Sequence, residues 1–211
     1  MKNTKKIRVL ILLATLAASI LMISNIVAVK LWDFFGIAVD GGIIVFPLSY
    51  VLGDLIMELY GKKIANYIIY VSLGINLLAV VIFLLVGLLP EYSGWGNQAA
   101  YNTILGFTPR LVAASLISFV LSGLLNNYVF EKIKKRTGEK KLWMRFIGSS
   151  LAARFADSLI FETVAFAGVL SSNEFLLQAG FAYVAGALLE VALIPVSYFA
   201  VKKLKKYEIS D

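Results

Sequence analysis

The chain contains no cysteine and no histidine. Disulfides, zinc sites of the Cys/His type and histidine-based catalytic triads are therefore excluded, while the redox compartment is left undetermined. The phosphate-binding patterns G-x-x-x-x-G-K-[ST] and G-x-G-x-x-G are also missing, so the chain does not hydrolyse ATP itself. Charge is scarce: 16% of the 211 residues are charged and 60% are hydrophobic, with a mean hydropathy of +0.84. Soluble domains run at about 25% charged and about 45–50% apolar, so the surplus of apolar surface calls for lipid. No lysine falls within an apolar segment, and Asp54 and Asp157 belong to no recognisable protease motif. The chain reads as a non-enzyme with no cofactor and no metal site.

What is present is a set of six apolar segments, at approximately 9–29, 41–59, 64–89, 109–129, 146–171 and 179–201. Each is near the ~20 residues that a membrane-crossing helix needs. An all-α membrane protein follows, a six-transmembrane-helix bundle forming one domain over residues 1–211. The first segment is too long for the apolar region of a signal peptide, and Ser24-Asn25-Ile26-Val27 offers no small-residue cleavage site, so it reads as a retained span. With both termini cytoplasmic, 17 of the 20 basic residues fall on the inner side; Lys30 and Arg110 lie outside and Arg154 within a span. This is the positive-inside pattern, and it accounts for the net charge of +7 without any nucleic acid. The longest outer loop, about 90–108, carries Tyr92, Trp95 and Tyr101, which suit an interfacial aromatic belt or a lid over an external site.

Ionisable residues inside the spans are the chemical signal. Residues 146–171 read FIGSSLAARFADSLIFETVAFAGVLS and carry Arg154, Asp157 and Glu162. An Arg or Asp at a helix centre costs about 2.5–3.5 kcal/mol on the insertion scale, and such groups mark a pathway or binding site by default. Arg154 and Asp157, at i, i+3, can pair along one face, and Phe161 continues that stripe. Glu162 lies about 140° round the helix from Asp157, and its role is open. In the second span Asp54 and Glu58 share a face at i, i+4; Glu58 has Lys62 and Lys63 nearby as interfacial partners, whereas Asp54 is deeper and reads as functional or as a gate. Glu190 lies near mid-depth of the sixth span, five residues before Pro195, which bends a helix and frees a carbonyl. Asn25 and Asn76 add amides that bond across helices or line an outer vestibule. With acids outnumbering Arg154 in the spans, a carboxyl group is available to hold a proton or to bind a cationic or amidine-like ligand. A guanine-type edge, with adjacent N–H donors, suits a carboxylate, although spacing alone does not select it.

The stretches SNIVAVK (24–30), FPLSYVLGDLIMELYGKKIA (46–65), PRLVAASLIS (109–118), LWMRFIGSSLAARFADSLIFETVAFAG (142–168) and LLEVALIPVSY (188–198) occur in this order. Together they resemble the queuosine precursor transporter family of the vitamin uptake transporter group, over nearly the whole chain. The resemblance implies a multi-pass protein of the bacterial inner membrane that imports 7-cyano-7-deazaguanine, 7-aminomethyl-7-deazaguanine or queuine for tRNA modification. The matching positions are Asn25, Pro47, Asp54, Glu58, Arg110, Asp157, Phe161, Glu190 and Pro195. Two departures stand out. Arg154 replaces the amide usual three residues before Asp157, and Gly186 replaces a basic residue often found four before Glu190. A cation transferred from one helix to its neighbour would preserve the charge balance.

The candidate substrate-binding set is accordingly Asn25, Asp54, Glu58, Arg154, Asp157, Phe161 and Glu190. Substrate would pair with Asp157 or Glu190, stack on Phe161 or another aromatic, and leave past Asp54 and Glu58, with proton coupling or metabolic trapping as the driving force. The alternative is a substrate-binding subunit of an energy-coupling-factor transporter, for which Ala14 and Ala18 would form a small-x-x-x-small docking face. ATPase partners are not expected for the stand-alone carrier. Small residues at Ser149, Ala153 and Ala156 permit a homodimer without requiring one.

Overall fold

The computed structural model describes residues 2–34, 37–106, 109–138, 140–166 and 172–209. The first apolar run forms α1 (Lys2–Val27), which leads into an antiparallel hairpin of β1 (Leu31–Phe34) and β2 (Ile37–Asp40), with Leu31 opposite Asp40 and Phe34 opposite Ile37. The second run is split into α2 (Gly42–Val45) and α3 (Pro47–Tyr60). Pro47 takes the first position of α3, where the missing N–H costs nothing. Gly61, at φ +80°, lets the chain turn at once into α4 (Lys62–Gly87), a conformation that side chains with a Cβ resist. The outer loop contains a short helix, α5 (Gln98–Leu105), fastened to the end of α4 by Tyr101 Oη to the Phe83 carbonyl (2.9 Å) and Gln98 Nε2 to the Gly87 carbonyl (3.1 Å). Then follow α6 (Pro109–Thr137), α7 (Leu142–Phe166) and α8 (Ser172–Ile209).

The six segments expected from hydropathy are mostly helical where described, with Ala28, Val29, Gly41, Phe46, Leu88 and Leu89 in turns or bends; residues 167–171, the end of the fifth, lie outside the described residues. The hairpin, α5 and the extensions of α6 and α8 to Thr137 and Ile209 are additions to the expected pattern. Five helical stretches are long and apolar enough to cross a membrane: Thr4–Val27, Gly42–Tyr60, Lys62–Gly87, Ala113–Thr137 and Ala179–Tyr207. The 25-residue α7 is not among them, because Arg145, Arg154, Asp157 and Glu162 interrupt its apolar character. It is nevertheless enclosed, packed between α6 and α8.

The molecule is turned inside out relative to a water-soluble domain. Leu78, Leu85, Leu188 and Phe199 point outward, while Asp54, Glu58, Arg145, Arg154, Asp157, Glu162 and Glu190 are buried. Lipid rewards that distribution and water does not. An apolar cluster of Leu13, Leu55, Ile56, Met57, Ile68, Phe130, Phe146 and Val201 joins α1, α3, α4, α6, α7 and α8. Ala14 packs against this cluster and Ala18 is buried; Ser149 and Ala153 are also inside the chain. Ala14, Ala18, Ser149 and Ala153 therefore serve internal packing, while Ala156 is half-buried.

Candidate functional site

Three charge clusters lie along the buried face of α3 and its neighbours. The innermost surrounds Glu58, whose side chain is 0% exposed. Lys134 of α6 approaches at 3.1 Å, Arg145 of α7 at 3.4 Å and Lys205 of α8 at 2.8 Å. The expected partners Lys62 and Lys63 are not used: the turn at Gly61 starts a new helix, and Lys62 instead meets Glu131 at 3.0 Å. Three helices are thereby drawn onto α3 at one end of the bundle.

One turn away, Asp54 is 3% exposed. Asn126 Nδ2 donates to its Oδ1 at 2.8 Å, and the Ser150 hydroxyl lies 3.4 Å from its Oδ2. Both partners are neutral.

Arg154 organises the third cluster. The i, i+3 spacing predicts a pair with Asp157, and that contact exists at 3.8 Å. The shorter bonds go to α8: Nη2 and Nε donate to the same oxygen of Glu190, Oε1, at 2.7 and 3.1 Å. The guanidinium also lies over the rings of Tyr50 and Phe46, 5.0 and 5.5 Å from their centroids, a cation–π arrangement. Gly186 makes this possible. A Cβ there would stand 2.6 Å from Arg154 Nε and 2.7 Å from Cζ. The cation on α7 thus occupies the space directly above position 186 of α8. Asp157 is further linked to α3 by Ser122, whose hydroxyl lies 3.5 Å from Asp157 Oδ1 and accepts from Tyr50 Oη at 3.1 Å.

Asp54 and Glu190 face a common narrow crevice between α3, α7 and α8, which Tyr50, Ser150 and Ser197 also line. Glu190 Oε2 is buried and has no hydrogen-bond partner among the described residues. An acceptor of that kind is costly unless a donor arrives. A second crevice lies on the other side of α3 and is walled mainly by apolar residues of α1, α3, α4 and α6.

Of the seven sequence candidates, Asp54, Arg154, Asp157 and Glu190 are brought together. Glu58 joins the separate cation cluster. Asn25 is remote from the crevice lining; it donates to Asn76 Oδ1 at 3.2 Å and accepts from Ser115 Oγ at 2.8 Å, which ties α1 to α4 and α6. Phe161 is half-buried and does not line the crevice, where Tyr50 and Phe146 supply the aromatic faces instead. Arg110 has no described side chain. Sequence reading missed Tyr50, Ser122, Asn126 and Ser150 as parts of the site. Asn126-Asn127 within an apolar span was the available signal for one of them. Among the described residues no group of three acids gathers to hold a metal.

A family profile described as "Putative vitamin uptake transporter" matches residues 40–200. The chain belongs to that family. It is 28% identical over 191 residues to the "Probable queuosine precursor transporter" of Bacillus subtilis (strain 168), covering 89% of this chain and 82% of the relative. It is 23% identical over 164 residues to the "Queuosine precursor transporter" of Escherichia coli (strain K12), covering 78% and 72% respectively. No solved structure matches. Family and membrane-length helices together make this a multi-pass bacterial membrane transporter, with transport and not catalysis as its function.

Proposed function

We propose that the chain imports 7-deazaguanine precursors of queuosine, and that Glu190 receives their N–H edge. The single observation that carries this is the state of Glu190: Oε1 is held by Arg154, while Oε2 stands buried and without a partner at the wall of the crevice. A ring N–H or exocyclic amine of a deazaguanine supplies the missing donor, and a hydrogen bond to a charged acceptor is worth about 1.5–3 kcal/mol. Arg154 holds the carboxylate in place and offsets its charge; Tyr50 and Phe46 fix Arg154 from below. Asp157 acts through Arg154 and through Ser122. In this reading α7 is the fifth of six spans, both termini are cytoplasmic, and the Glu58 cluster closes the inner end, so substrate reaches the cytoplasm when that cluster parts. The energy-coupling-factor alternative draws no support from Ala14 and Ala18, which are turned into the chain.

The test is direct binding to the detergent-purified chain, using 7-cyano-7-deazaguanine, 7-aminomethyl-7-deazaguanine, queuine, guanine, biotin and riboflavin. Deazaguanines should bind, and Glu190→Gln should weaken them at least tenfold. Binding of biotin or riboflavin with none of deazaguanines would overturn the substrate assignment. Transport by the single chain in liposomes would exclude an ATPase-dependent mechanism.

A further inference from the structure

The buried acids differ in one respect that the substrate assignment does not use. Glu58 has three cations within 4 Å, and Asp157 and Glu190 share Arg154. Asp54 has no cation within 4 Å among the described residues; its partners are the amide of Asn126 and the hydroxyl of Ser150. Every neighbouring helix contributes to this isolation. Next to Asp54, α6 offers Asn126 among the described residues. From α7 comes Ser150, while Arg145 and Arg154 are engaged by Glu58 and Glu190. From α8 comes Glu190, itself an acid, across the shared crevice. On α3 itself the nearest ionisable groups are Tyr50 and Glu58. On the far side of α3, α1 and α4 present Ala17, Ala65, Ile68 and Ser72. An ionised carboxylate enclosed in this way within a membrane-crossing helix has nothing to balance it, and the cost falls away when it carries a proton.

We propose that Asp54 is a proton-binding site and that import is proton-coupled, with one proton carried in for each substrate. This rests on the importer reading above and adds its driving force. The geometry suits a neutral carboxyl group. Oδ1 accepts from Asn126, and a proton on Oδ2 is donated to Ser150 Oγ, whose hydroxyl can rotate to accept. The cycle balances without any redox partner. The proton binds from the outer water, travels with the substrate, and passes to cytoplasmic water once the Glu58 cluster parts.

Two measurements test this. In liposomes containing the purified chain, labelled 7-cyano-7-deazaguanine, a neutral probe, is followed both in net uptake under an inside-alkaline pH gradient and in exchange against unlabelled ligand. One-to-one coupling predicts about tenfold accumulation per unit of pH gradient, abolished by a protonophore. In Asp54→Asn, a fixed mimic of the protonated form, accumulation relative to exchange should no longer respond to the gradient, whatever the change in the exchange rate itself. Wild-type exchange with accumulation indifferent to the gradient overturns the coupling and leaves the importer standing. Loss of both binding and exchange in the wild type overturns the importer and the coupling together. Independently of any substrate, infrared spectroscopy of the purified chain should show a protonated-carboxyl band at neutral pH that disappears in Asp54→Asn, moves in Asp54→Glu and survives in Glu190→Gln. A band insensitive to both changes at Asp54 refutes the assignment.

Discussion

Replacing Gly186 by alanine perturbs the site at its tightest point. The new Cβ would stand 2.6 Å from Arg154 Nε, 2.7 Å from Cζ and 3.0 Å from Cδ, whereas ordinary contact begins at 3.4 Å. The guanidinium therefore has to retreat by about 0.8 Å, the gap between 2.6 and 3.4 Å. Its bonds to Glu190 Oε1, now 2.7 and 3.1 Å, would be pushed to the limit of hydrogen-bonding distance or past it. Removing a partner from a buried ion pair outright costs about 3–5 kcal/mol, so partial withdrawal should cost about 2 kcal/mol. For a chain of this size that corresponds to roughly 4–8 °C in the unfolding midpoint. The assay is a double-mutant cycle in detergent, comparing wild type, Gly186→Ala, Arg154→Gln and the two combined. Without the guanidinium the added methyl group meets open space, so the alanine should be nearly neutral in the Arg154→Gln background. An equal loss in both backgrounds would refute the steric argument. The same geometry predicts that Arg154→Asn combined with Gly186→Lys, which returns a cation to the space between Glu190 and Asp157, recovers uptake lost in Arg154→Asn alone.

Glu58→Gln leaves Lys134, Arg145 and Lys205 without their carboxylate and should loosen the inner end of the bundle. Because the chain has no cysteine, Ser197→Cys places a single thiol in the crevice lining, and its maleimide labelling from the cytoplasmic side should accelerate severalfold with Glu58→Gln; an unchanged rate would mean that the cluster does not close that end. Asn25→Ala removes the tie to Asn76 and Ser115, costing about 0.6 kcal/mol typical of such interhelical bonds, and should leave ligand affinity within twofold; a tenfold loss of affinity would return Asn25 to the binding site. Tyr50→Phe gives up the hydroxyl bond to Ser122 but keeps the ring beneath Arg154, so it should lower stability by about 1 kcal/mol with little effect on binding. Tyr50→Ala, which removes both, should weaken binding about tenfold, and equal affinities for the two variants would discount the ring.

The helical plan was readable because hydropathy is a local property, written in consecutive residues. Partner choice among the charges was not, because it is settled between helices far apart in the chain. Arg154 had a sequence neighbour in Asp157, three positions on, but its shorter bonds reach Glu190, 36 positions away. What decided the matter was the side-chain-free surface at Gly186, which admits the guanidinium. Glu58 had Lys62 and Lys63 at hand, yet the turn at Gly61 carries both onto another helix, and the carboxylate is met from 147 positions away by Lys205. Asp54 was recognised as needing a partner from its depth alone. That the partner is the amide of Asn126, and not a cation, emerges only when α3 and α6 are laid together. The serines fared worst, since Ser122 and Ser150 are unremarkable in a span until a carboxylate is found beside them.

Pro195 interrupts α8 between two anchorages. Glu190 is clasped by Arg154 on one side of it, and Lys205 is clasped to Glu58 on the other, about 22 Å further along the helix. Proline withholds the N–H that the Val191 carbonyl would otherwise receive, so the rod is weakest between its two grips, nearer to Glu190 than to Lys205. Flexure at this joint would let the lower arm swing free while the upper arm keeps its cargo, and the two ends of one continuous helix need not let go in the same instant.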